Sequence, residues 1–151
     1  MKAGNGAYYY TDENDSNRII TFCKVAKIVN NVEEQEFHDY RFLWDTGATN
    51  TMISQKIINE LHLEVKGCVP IIYGGGGGKS NIYDVAIILP NSLLIQKIKV
   101  GTLSLNCEYY DGIIGMDIIS MGDFCISGEK GKRVFSFCVP SMGIIDLKVM
   151  K

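Results

Sequence analysis

Apolar and β-branched residues recur along this chain in short runs, each closed by glycine, proline, asparagine or charged residues, and that rhythm predicts short strands with few helices. Residues 18–29 and 37–44 are rich in β-branched and aromatic side chains and read as a hairpin across the polar stretch 30–36. Residues 48–53 continue extended. Ser54 is placed to N-cap a short helix with Ile57, Ile58 and Leu61 on one face. Residues 64–73 predict a strand, the glycines that follow predict its turn, and 81–89 predict the return strand, ending before Pro90. Two further short strands are expected around Gly101, within 93–107. The apolar stretch 112–114 leads into a helical turn or two over 116–121, and 124–126 with 134–139 predict a final hairpin across 127–131. Many short strands and two short helices predict a mainly β, antiparallel fold, a barrel or a sandwich. Residues 1–17 read as a flexible N-terminal arm, 18–140 as the domain, and 141–151 as a C-terminal tail. No internal repeat is visible.

Composition narrows the function classes. A chain of 151 residues is long enough for one domain with a core, and 46% hydrophobic with 21% charged residues is ordinary for a soluble globular protein. A net charge of −2 offers no electrostatic footprint for nucleic acid. The longest apolar runs fall far short of a membrane span, and residues 1–17 are polar and tyrosine-rich, with no apolar core like that of a signal peptide. The expectation is a cytoplasmic protein that partners neither nucleic acid nor membrane. The five cysteines form no Cys-x-x-Cys pair, and His38 and His62 have no neighbour at ligand spacing, so neither a disulfide framework, a metal nor a cofactor is expected.

Three stretches carry candidate chemistry. The first is Phe42-Leu43-Trp44-Asp45-Thr46-Gly47-Ala48-Thr49, in which an apolar strand breaks abruptly at a carboxylate. An Asp-Thr-Gly there is either an Asx-type turn or a carboxylate poised for reaction. The second is Tyr73-Gly74-Gly75-Gly76-Gly77-Gly78-Lys79-Ser80. It nearly spells a phosphate-binding loop, but that motif requires glycine where Tyr73 stands and a helix after it, whereas a β-branched strand follows. A bare-glycine hairpin tip suits a mobile lid instead. The third is Asp111-Gly112-Ile113-Ile114-Gly115-Met116-Asp117, a core strand and turn with Asp117 at the positive end of a helix.

Taken together and in this order, the three stretches resemble the retropepsin-like aspartic proteases, in which each subunit carries one Asp-Thr-Gly. The string from Asp111 to Phe124 and the hairpin ending Val134-Phe135-Ser136-Phe137 look closest to bacterial, gag-polyprotein-type members. The resemblance implies an acid-protease barrel with a flap hairpin. It implies a homodimer in which two Asp45 carboxylates activate one water to hydrolyse a peptide bond. Asp45, Thr46 and Gly47 would form the catalytic turn, with the Thr46 hydroxyl bonding across the dimer. Ala48, Thr49 and Asn50 would line the substrate channel, Tyr73 and Gly74, Gly75, Gly76, Gly77 and Gly78 would form the flap, and Gly115 and Asp117 would be structural. Partners would be a second copy and a peptide or unfolded protein. One departure is Met116, where many viral members have an arginine that ties the helix to a loop carboxylate; here apolar packing must replace it. That departure and the glycine-rich flap keep a second reading open: a non-catalytic peptide-binding or dimerisation module on the same fold. A third, nucleotide binding through the glycine run, ranks behind both.

Overall fold

The computed structural model describes residues 6–12, 17–73, 75–104, 107–129 and 133–148. Among the described residues there are ten strands: β1 (Gly6–Asp12), β2 (Ile20–Lys27), β3 (His38–Trp44), β4 (Met52–Ser54), β5 (Gly67–Tyr73), β6 (Gly76–Ile88), β7 (Leu94–Leu103), β8 (Gly112–Ile114), β9 (Asp123–Ser127) and β10 (Arg133–Val139). Two short helices, α1 (Gln55–Glu60) and α2 (Met116–Ile119), follow β4 and β8. The mainly β expectation holds.

Seven strands form one sheet in the order β2-β3-β8-β4-β7-β6-β5, and β2 also pairs with β6, so the sheet curls back on itself. The remaining three form a small antiparallel sheet, β1-β10-β9. Along β2 the alternation is plain: Thr21, Cys23 and Val25 are buried while Phe22 and Lys24 face solvent. Trp44 joins the two sheets. Its ring centroid lies 5.0 Å from that of Phe135 and 4.9 Å from that of Phe137, and its Nε1–H donates to Thr21 Oγ1 at 2.9 Å. The only tryptophan of the chain is thus buried with its polar edge satisfied.

Strand β8 lies between β3, to which it is parallel, and β4, to which it is antiparallel. All three of its residues are buried, as a strand covered on both faces requires. Gly112 belongs there for lack of room: a Cβ would stand 2.3 Å from Phe42 Cε1.

Several local expectations differ from the structure. In place of two short strands around Gly101, the described residues of 93–107 carry one, β7, which runs straight through Gly101. Gly101 is a point of close approach rather than a break, since a Cβ would stand 3.1 Å from Ser80 Oγ. Gly76, Gly77 and Gly78 already belong to β6, opposite Tyr73, Ile72 and Ile71, so the hairpin is tighter than a five-glycine turn. Gly76 has φ +136°, which explains a glycine at that corner. The supposed N-terminal arm includes β1, paired along its length with β10. Ser54 stands at the N-cap of α1 with no side-chain cap bond; Ile57, Ile58 and Leu61 are buried as expected. Among the described residues, no helix is long and apolar enough to cross a membrane, and no cluster of His, Cys, Asp and Glu could hold a metal ion.

Candidate active site

The site grows from the end of β3. Phe42 and Trp44 are buried on one face, and the parallel partner β8 sets Phe42 opposite Gly112 and Trp44 opposite Ile114. The ladder continues one residue beyond the strand, because the Asp45 N–H donates to the Ile114 carbonyl at 3.0 Å. The chain then turns. Gly47 N–H donates to Asp45 Oδ1 at 2.8 Å, and Ala48 N–H donates to the Asp45 carbonyl at 3.2 Å. Gly47 permits that closeness, since a Cβ on it would lie 3.1 Å from Oδ1. The two readings of Asp-Thr-Gly therefore coexist: this is an Asx turn, and its carboxylate is still half-exposed. Thr46 and Gly47 are exposed beside it, and among the described residues no cation pairs with Asp45.

Helix α2 holds the far side of this turn. Met116 N–H donates to the Ala48 carbonyl at 2.8 Å and Asp117 N–H to the Thr49 carbonyl at 3.2 Å. Gly115 packs directly on the Asn50 peptide, where a Cβ would fall 2.5 Å from the carbonyl carbon. The Asp117 carboxylate accepts the Thr51 amide at 2.9 Å and the Thr51 hydroxyl at 2.8 Å. Thr51 Oγ1 in turn accepts the Gly115 N–H at 3.1 Å. Asp117 thus does more than sit at a positive helix end; it closes the loop that begins at Asp45.

Tyr110 approaches from the chain leading into β8. Burial raises its hydroxyl above the ordinary range; the charge and hydrogen bond of Cys107 and the more weakly acting Asp45 charge add to this, against the Arg18 charge, which lowers it. On the other side, Thr46, Met116, Ile119, Asp123, Phe124 and Ile145 line an open hollow of about 550 Å³. Met116 is 37% exposed there, apolar in an apolar setting.

The structure therefore brings together Asp45, Thr46, Gly47, Ala48, Thr49, Asn50, Gly115 and Asp117. The glycine hairpin is apart: Gly75, Gly76, Gly77 and Gly78 form no hydrogen bond with the Asp45 turn among the described residues, and Gly74 and the Tyr73 side chain lie outside the described residues. Sequence reasoning missed Thr51, which is fully buried, and gave no role to Asp111, which is 7% exposed. No local pattern marks Thr51, since its partner is 66 residues away. Asp111 stood inside a motif read for its glycines and isoleucines.

The sequence profile of the aspartyl protease family matches residues 28–118, which span the Asp45 turn, the glycine hairpin, β8 and the start of α2. The chain belongs to that family. Its fold is retropepsin-like. A retropepsin-like aspartic protease from Rickettsia conorii superposes with a TM-score of 0.54 at 13% identity, covering 91% of this chain and 98% of that one. EIAV protease, complexed with the inhibitor HBY-793, gives 0.50 at 20% identity, covering 71% of this chain and 89% of that one. No curated protein matches the sequence.

Proposed function

We propose that the protein is a homodimeric aspartic endopeptidase in which Asp45 from each of two chains faces one water. The observation that carries this reading is the state of Asp45: a half-exposed carboxylate, fixed by the Gly47 amide, with no cationic partner among the described residues. One such carboxylate is half of a hydrolytic site. Two brought within hydrogen-bond reach share a proton, because both cannot be ionised so close together. The ionised member takes a proton from water, which attacks the peptide carbonyl, while the protonated member donates to the carbonyl oxygen.

The second copy is the economical source of the other carboxylate, through a symmetric interface. Exposed Thr46 and the apolar hollow holding Met116, Ile119 and Phe124 lie beside the turn, where such a partner would dock. Apolar packing at Met116 then stands in for an ion pair. Residues Ala48, Thr49 and Asn50 would line a channel for an extended peptide. The hairpin of β5 and β6 would close over it as a flap and exclude water. The described cysteines are unpaired thiols, in keeping with a reducing, cytoplasmic setting.

The test is cleavage of a peptide library at acidic to neutral pH by wild type and Asp45→Asn. Turnover that disappears in the variant is the expected result. Saturable peptide binding with no turnover in wild type would replace the enzyme reading with a binding module.

A further inference from the structure

Asp111 is a buried carboxylate for which the chemistry above has no use. It stands one residue before β8 and is 7% exposed. Oδ2 accepts the Arg41 backbone N–H at 3.0 Å, and Oδ1 accepts Lys56 Nζ at 3.1 Å. Arg41 Nε lies 3.7 Å from Oδ2, and Arg41 Nη2 is drawn to the Glu108 carbonyl at 2.9 Å. The main chain of the same residue is equally engaged: its N–H donates to the Arg41 carbonyl at 2.7 Å, and its carbonyl accepts the Ser54 N–H at 2.9 Å. Lys56 is itself steered by the Tyr40 ring, 5.7 Å from its centroid.

One residue therefore ties together three segments: β3 at Arg41, the junction of β4 and α1 at Ser54 and Lys56, and the entry to β8. Strand β8 has only three residues with which to hold its place between β3 and β4. Three residues on from Asp111, the Ile114 carbonyl receives the Asp45 amide. Arg41 lies four residues before Asp45, about 13 Å at strand rise, so Asp111, held at Arg41, does not reach a peptide bond held at Asp45.

We propose that Asp111 is a positioning residue for the Asp45 chemistry: by binding the entry of β8 to β3 and to α1, it sets the register in which Ile114 holds the Asp45 turn. The proposal rests on the protease reading for its kinetic part alone. Burial by itself would push the Asp111 carboxyl up, but the Arg41 amide and the Lys56 and Arg41 charges outweigh it and hold it below the ordinary range. That shift favours the ionised form, which both the Arg41 amide and the Lys56 ammonium require. A residue serving stability alone would lower the melting temperature and leave turnover per folded enzyme unchanged.

The test compares wild type, Asp111→Asn and Lys56→Met by peptide-cleavage kinetics and by amide hydrogen exchange read at Asp45 and, as a control, at Val100 on β7. In Asp111→Asn, kcat is expected to fall about tenfold with KM within about twofold, the signature of a misplaced reacting group. The Asp45 amide is expected to exchange about tenfold faster while Val100 is unchanged. Lys56→Met, altering a side chain that is 55% exposed, is expected to move both readouts the same way by about two- to threefold, and decides the matter if Asp111→Asn does not fold. Wild-type protection at Asp45 in the variants, or unchanged kcat with only a lowered melting temperature, overturns the proposal. Absence of cleavage by wild type would remove the protease reading, and the exchange comparison would then decide the register claim by itself.

Discussion

Asp117 accepts both the backbone N–H and the hydroxyl of Thr51, at 2.9 and 2.8 Å, across 66 residues of chain. The Thr51 hydroxyl passes the link on by accepting the Gly115 amide at 3.1 Å. Residues 46, 47, 49 and 50 are exposed, so the exposed loop carrying the candidate chemistry is closed at its far end by this pair, a fully buried Thr51 and a half-buried Asp117.

Replacing Thr51 by valine keeps the shape and removes the hydroxyl. The Gly115 amide loses its acceptor in a buried setting, and Asp117 loses a donor. The expected cost is about 2 kcal/mol, a fall in melting temperature of about 4–8 °C for a chain of this size. Thr51→Ser retains the hydroxyl and is expected to lose less than half as much. Thermal denaturation of the two variants checks the order.

Gly115→Ala meets a harder obstacle, because the new methyl would fall 2.5 Å from the Asn50 carbonyl carbon and 2.9 Å from the Thr51 nitrogen, both backbone. Neither can swing away as a side chain would, so the loop and α2 must separate. A loss of about 3 kcal/mol is expected, with cleavage lost more completely than fold. Denaturant unfolding alongside peptide hydrolysis separates the two effects.

Much of this arrangement was legible in the sequence, and the part that was not has a common cause. Asp45-Thr46-Gly47 announced its turn because strand, breaker and small residue lie side by side, and Ile57, Ile58 and Leu61 announced a helix face by their spacing. The continuity of β7 through Gly101 did not show, because that glycine answers to Ser80 and Met52, which are distant in sequence. Tyr8-Tyr9-Tyr10-Thr11 do favour a strand, but the Gly, Asn and Asp residues around them read as a loose arm, and the partner that orders β1 is β10, more than a hundred residues on. Thr51 and Asp111 were passed over for the same reason. Each is an ordinary polar residue until a remote segment arrives to use it.

The low carboxyl pKa of Asp111 gives a pH dependence of definite sign. A carboxyl held lower in the folded chain than in the unfolded one stabilises the fold when ionised. That contribution is complete above about pH 4, the value for an unperturbed aspartate, and is lost as pH falls through the folded value. The melting temperature of Asp111→Asn should therefore lie below that of wild type at pH 6, with the gap closing steadily below about pH 4. A gap that is constant across this range would mean that the charge of Asp111 contributes nothing to stability.

Whether two Asp45 side chains build one site is decided most directly by mixing subunits. Wild type is held at fixed concentration, Asp45→Asn is added in ninefold excess, exchange is allowed, and peptide cleavage is measured. If each site needs an intact Asp45 from both chains, random pairing leaves about one tenth of the wild-type chains facing another wild-type chain, and activity falls about tenfold. Activity that stays constant as the inactive subunit is added would mean that one chain cleaves without the carboxylate of another.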